Sequence, residues 1–339
     1  MRGKLASLVL AGLALVGCGE GSQPQAGSAS AQAALGSTSA SAASVGSGTA
    51  APVASAIPVD VVPWVGIPKP VEEVEKVINP NGEKPYAGKT GTLKGKITIK
   101  GDPPPDVKLE LPPECADAAR MYGKAFRVGE GGVLADALVT VTGYEGFVPV
   151  AEPAAQVTMK GCAYEQLTYS MTFGQRLEVK NLDPKVSHVP ILDPAPFRAV
   201  NVAMPQGRPV RLYAFQPAVN YVLRDYMSRT FVTARVFALK FSTHDVTGVD
   251  GTYEIPRIPV GKVKVNAFLP MLESDAVGKE IEIKEGDNTL DLELTYDKDK
   301  DKIAALPEDP WSRKPGTAPT SSGGFGQPPK VVPSASAPR

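Results

Sequence analysis

Apolar side chains recur at every second position in one short segment after another, a spacing that fits strands with one wet face and does not fit an amphipathic helix. Leu93, Ile97 and Ile99 alternate with Lys94, Lys96, Thr98 and Lys100, and Leu167, Tyr169, Met171 and Phe173 alternate with Thr168, Ser170 and Thr172. The same pattern runs through Leu177-Glu178-Val179-Lys180, Val263-Lys264-Val265, Ile281-Glu282-Ile283-Lys284 and Leu290 to Leu294. Gly, Pro, Asn or Asp bounds each segment, as turns between antiparallel strands require. The helical candidates are short, Val71 to Ile78 and Glu114 to Tyr122. The spacing predicts an all-β fold of the sandwich class.

Much of the chain cannot join that core. From Gly19 to about Ala56 it is almost entirely Gly, Ser and Ala, and Ala51 to Pro85 holds seven prolines. Such stretches bury too little apolar surface to offset the entropy of ordering them. Residues 18–87 therefore read as a flexible stalk, reaching roughly 40 to 50 Å as a coil. At the other end, Asp297 to Lys302 alternates Asp and Lys, and Leu306 to Arg339 carries eight prolines, so residues 297–339 read as a disordered tail. The packing part is then about 88–296. Its charge is balanced, 36 basic residues against 36 acidic over the whole chain, which leaves no electrostatic footprint for nucleic acid.

Arg2 and Lys4 precede an apolar run from Leu5 to Val16, which at twelve residues is too short to span a bilayer and has the shape of a signal peptide. The run ends in Leu15-Val16-Gly17-Cys18, which resembles the lipobox of bacterial lipoproteins. The resemblance implies removal of residues 1–17 and diacylglycerol on Cys18, so that membrane lipid becomes a partner of the chain. Gly19, where an aspartate would retain the protein at the inner membrane of enterobacteria, is similar to the outer-membrane pattern. The alternative is an ordinary signal peptide with an incidental Cys18. Setting Cys18 aside leaves Cys115 and Cys162, an even pair in a compartment that permits disulfides. Bonded, they would close a loop worth about 4 kcal/mol in the chain-entropy model; the other possibility is two buried thiols.

Two family resemblances organise the body. Asp250-Gly251-Thr252-Tyr253-Glu254-Ile255, followed by Pro259-Val260-Gly261 and Val263-Lys264-Val265, is similar to the signature of carboxypeptidase regulatory-like domains, which are transthyretin-like sandwiches and not peptidases. Gly95-Lys96-Ile97 and Ala137-Leu138-Val139 resemble the opening strands of such a domain, about one hundred residues earlier. Between them, Cys162-Ala163-Tyr164, then Phe173-Gly174-Gln175 through Asn181-Leu182-Asp183, and finally His188, resemble the plastocyanin-like (cupredoxin) domains of methylamine-utilisation-type exported proteins. Together they imply a cupredoxin-like domain at 153–241 inserted into a transthyretin-like domain at 88–152 and 242–296.

In that cupredoxin family a Cys-x-x-His-x-Trp-Met motif completes the copper site. Here the corresponding stretch is Tyr221-Val222-Leu223-Arg224-Asp225-Tyr226-Met227, so Tyr221 replaces the thiolate, Arg224 replaces the second imidazole, and Met227 alone matches. A blue-copper centre needs two imidazoles and a thiolate. Tyr221 would titrate near 10 and Arg224 would place a fixed positive charge beside a cation, so no copper or other cofactor is expected. His188 then reads as an ordinary loop residue, Arg224 as a partner for Asp225, Asp183 or an anionic ligand, and His244-Asp245 as an exposed loop pair. The chain has two histidines, neither in a His-Glu-x-x-His helix, and no nucleophile-elbow sequence. The expected function is a noncatalytic, lipid-anchored binding or structural module of the cell envelope with an envelope protein or glycan as partner. The alternatives are a copper electron-transfer lipoprotein with unusual ligands and a carbohydrate-binding module.

Overall fold

The computed structural model describes residues 68–194, 201–218, 220–227 and 229–306. Cys18, the signal segment, the Gly/Ser/Ala-rich stretch and the chain beyond Leu306 lie outside the described residues. A short helix, α1 (Val71–Ile78), precedes β1 (Thr90–Gly101). A 3-10 turn at Pro113–Ala118 runs into α2 (Ala119–Tyr122), then come β2 (Leu138–Thr142), β3 (Ala154–Met159), β4 (Thr168–Thr172), β5 (Arg176–Asn181) and β6 (Pro190–Asp193). After these follow β7 (Val210–Tyr213), β8 (Asn220–Asp225), β9 (Thr233–Leu239), β10 (His244–Val246), β11 (Thr252–Pro259), β12 (Gly261–Phe268), β13 (Val277–Ile283), β14 (Gly286–Thr289) and β15 (Leu292–Tyr296). The fold is all-β.

The strands form two cores, each between two sheets. In the first, β11 and the pair β14 and β15 flank β1, and this sheet faces the order β10-β2-β12-β13. Leu93, Ile97, Ile255 and Ile258 from one sheet meet Val139, Val141, Val263 and Val265 from the other. The alternation explains the burial, because strand side chains point to opposite faces and the lysines between these residues stay wet. The early and late segments are hydrogen-bonded neighbours: Leu93 pairs with Ile255 on β11, and Val141 with Val265 on β12. Gly251 takes φ 75 in the turn into β11, where a Cβ would come 2.8 Å from Ile97 O. At Gly95 a Cβ would lie 1.8 Å from Leu290 O, so the close passage of β1 beside the β14–β15 junction admits no side chain.

The second core uses the strands that lie in the chain between β2 and β10. The order β3-β5-β7 faces β4-β9-β8-β6, and Met159, Leu177, Val179 and Leu212 pack against Met171, Tyr221, Leu223 and Val236. The two cores are tied together by Asp136, which is fully buried at φ 65. Its carboxylate receives two bonds of 2.7 Å from Arg127 and one of 2.8 Å from Leu167 N at the entry to β4.

Both ends of the described chain are packed where the composition suggested stalk and tail. Val74, Val77 and Ile78, on one face of α1 by their three- and four-residue spacing, lie against the second core. Residue 86 also joins the body, its N–H bonding Phe147 O at 2.8 Å. Near the C-terminal end, Arg235 donates to Ala304 O at 2.7 Å and Ile303 pairs with Leu272. None of the helices among the described residues is long and apolar enough to cross a membrane.

Candidate functional site

Cys115 and Cys162 form a disulfide with Cα atoms 5.3 Å apart, joining the 3-10 turn to the loop before β4. That loop is held in an unusual conformation, with Gly161 at φ 62 and Cys162 at φ 55. A non-glycine residue there costs energy unless its surroundings compensate. The compensation is Asp183, whose Oδ1 accepts Gly161 N–H at 2.6 Å and whose Oδ2 accepts Cys162 N–H at 3.1 Å. Asn181, at the end of β5, shapes the segment that presents Asp183. Its amide donates to Val186 O and Ala203 O at 2.8 Å each, and its Oδ1 accepts Asp183 N–H at 2.9 Å.

His188 is therefore not an ordinary loop residue. Its ring is fully buried between two carboxylates, with Nδ1 2.7 Å from Asp225 Oδ2 and Nε2 2.8 Å from Asp183 Oδ2. A doubly protonated ring satisfies both contacts as a donor, whereas a neutral ring satisfies one. Asp225 ends β8, and its Oδ1 accepts Val189 N–H at 2.9 Å and Met227 N–H at 3.1 Å. Arg229 reaches its Oδ2 at 3.2 Å and also donates to Ser187 O. Burial alone would push the Asp225 carboxyl up, but the bonds from His188, Val189 and Met227 prevail and hold it below the usual range.

The other residues singled out from the sequence lie elsewhere. Tyr221 packs in the second core, and its hydroxyl both donates to Gln216 O at 2.9 Å and accepts Gln216 N–H at 3.0 Å. Four residues of extended chain, about 13 Å, separate it from Asp225, the β8 residue that meets His188. Arg224 is ion-paired at 3.2 Å with Asp193, on the neighbouring strand, and not with Asp225, because successive residues of β8 point to opposite faces. Met227 is half exposed, and its backbone, not its sulfur, contacts Asp225. A trigonal set of two imidazoles and a thiolate does not fit these positions. His244 and Asp245 form part of β10 and are not an exposed pair. Ser170 Oγ lies 2.8 Å from His244 Nδ1 and Thr172 Oγ1 lies 3.2 Å from its Nε2, and burial drives this imidazole down to about 4.

From the sequence, Asp183 stood only as a motif residue and, with Asp225, as a possible partner for Arg224, and Arg229 was not singled out. The available signal was an aspartate closing each of two apolar strand runs, Asn181-Leu182-Asp183 after β5 and Asp225 at the end of β8. Around the cluster, Leu182, Val202, Met204, Tyr226 and Met227 are exposed, and each is within two residues of Asp183, Asp225 or Ala203. Ala203 pairs with His188 through both backbone N–H groups.

No protein-family model and no curated protein matches this chain. Among solved structures it is similar to the Cu-containing nitrite reductase (NirK) from Thermus scotoductus SA-01, at 17% identity and a TM-score of 0.21. The similarity covers 39% of this chain and 28% of that protein's own chain.

Proposed function

We propose that the chain is a noncatalytic, lipid-anchored protein of the cell envelope, held at the outer membrane through Cys18, whose folded body is a binding or structural module. In this reading residues 153–241 are a cupredoxin-like domain that has lost its copper ligands. They are inserted into a carboxypeptidase regulatory-like, transthyretin-like domain of residues 88–152 and 242–296. The observation that carries the reading is the pairing of both His188 ring nitrogens with carboxylates. Each nitrogen is hydrogen-bonded to an acidic oxygen, which supports a structural part for this histidine. The exposed Leu182, Val202, Met204, Tyr226 and Met227 around it offer apolar contact to an envelope partner.

Two measurements test it. Cys18→Ala should release the protein from membranes on fractionation, and a variant that stays wholly with membrane removes the anchor from the proposal. Titrating Cu(II) into the purified, air-oxidised protein should give no intense thiolate-to-copper band and no blue-copper paramagnetic resonance signal. A band that disappears in His188→Ala would establish an electron-transfer protein instead.

A further inference from the structure

We propose that reduction of the Cys115–Cys162 disulfide converts the corner at Asp183 and His188 into a buried site for a divalent metal of the zinc class, with both thiolates, His188 Nε2 and Asp183 as ligands. This goes beyond the reading of the oxidised protein as a noncatalytic module, and its failure leaves that reading intact.

The ligand atoms of Cys162, Asp183 and His188 already lie within 4.8 Å of one another, and all three residues are buried. The Cys115 sulfur is bonded to that of Cys162, with the two Cα atoms 5.3 Å apart, so once the bond is cleaved it is drawn in as the proposed fourth donor. Two soft thiolates, one borderline imidazole and one hard carboxylate make a four-ligand set of donor types that tetrahedral zinc accepts. In the oxidised protein the sulfurs are spent on each other, which leaves two ligands and no site.

The outer shell is also in place. A metal-bound histidine almost always gives its other ring N–H to a carboxylate, a backbone carbonyl or water, and Asp225 lies 2.7 Å from Nδ1 of His188. Asp225 is fixed in turn by Val189 N–H, Met227 N–H and Arg229, while Asp183 is fixed by Gly161 and Cys162 N–H. Tyr164, two residues after Cys162, is fully buried, and its hydroxyl has no hydrogen-bond partner among the described residues. A dithiol reductant supplies the two electrons and two protons that cleave the S–S bond to two thiols, and it leaves as its own disulfide. Metal binding then releases both thiol protons and any proton on Nε2.

The test uses the full chain carrying Cys18→Ala, so that no third thiol competes. It is reduced with a water-soluble phosphine under argon, desalted and titrated with Co(II). The expected result is one equivalent bound, with a thiolate-to-cobalt charge-transfer band and tetrahedral d–d bands that Zn(II) erases, and neither in the unreduced chain. Asp225→Asn, which keeps an acceptor oxygen, should retain the bands with affinity lower by about 10-fold to 100-fold. His188→Gln should lose the tetrahedral bands. Absence of the charge-transfer band, or loss of the β-sheet circular dichroism on reduction, would overturn the proposal. So would undiminished affinity in Asp225→Asn, which decides the matter if His188→Gln does not fold.

Discussion

His188 Nδ1 lies 2.7 Å from Asp225 Oδ2 across 37 residues of chain, and both side chains are buried. The bond ties the loop after β5 to the end of β8, closing one end of the second core. Asp183 extends it to the disulfide-bonded loop through Cys162 N–H. The three loops are thus held by one polar cluster at the edge of an apolar core.

Removing one partner of a buried charged pair leaves the other uncompensated and costs about 3 to 5 kcal/mol. Asp225→Ala should lower the unfolding free energy by about that amount in urea titrations at pH 7, because Val189 N–H and Met227 N–H lose their acceptor and His188 and Arg229 each lose one of two. A loss below about 1 kcal/mol would show that the cluster is not structural.

His244 gives a pH dependence of defined sign. Burial lowers its pKa from 6.5 to about 4, so between those values the unfolded chain binds the extra proton and the folded chain does not. The contribution is fully present above pH 6.5 and is lost as pH falls toward 4, by up to about 3 kcal/mol. Chemical denaturation at pH 7.5 and pH 4.5 should show His244→Gln losing less stability than the parent over this interval. Equal slopes for the two proteins would place the ring in a wetter site than β10 provides.

Tyr164 carries a buried hydroxyl that has no hydrogen-bond partner among the described residues. Burying such a group without a bond costs about 1 to 3 kcal/mol. Tyr164→Phe keeps the ring and removes the cost, so the expected change is a gain of about 1 kcal/mol, read as a higher denaturation midpoint at unchanged slope. A loss of stability would mean that the hydroxyl is solvated in the folded protein.

Gly95 marks the place where β1 passes closest to the β14–β15 junction. A methyl group there would sit 1.8 Å from Leu290 O, so Gly95→Ala must push the strands apart. The expected loss is at least about 2 kcal/mol, toward the upper part of the range for overpacked cores. Thermal unfolding of the variant beside the parent checks it, and a neutral result would show that β1 shifts freely.

Strand content was legible in the order of residues, because the two-residue period that buries Leu93, Ile97, Val263 and Val265 is a local property that each segment carries alone. The sequence also pointed to Cys115 and Cys162 as a pair once Cys18 is set aside, with two free thiols as the alternative, and the structure joins the two. The ring partners of His188 were decided only by tertiary structure. Asp183 is five residues away and Asp225 is 37, and the second distance closes only when β6 pairs with β8 in a register that opposes Pro190 to Asp225. A shift of one residue in that register would turn Asp225 to the other face and bring Arg224 toward His188 instead. Register depends on the packing of whole sheets, and so the burial of His244 and the docking of α1 on the second core were equally a matter of long-range contact.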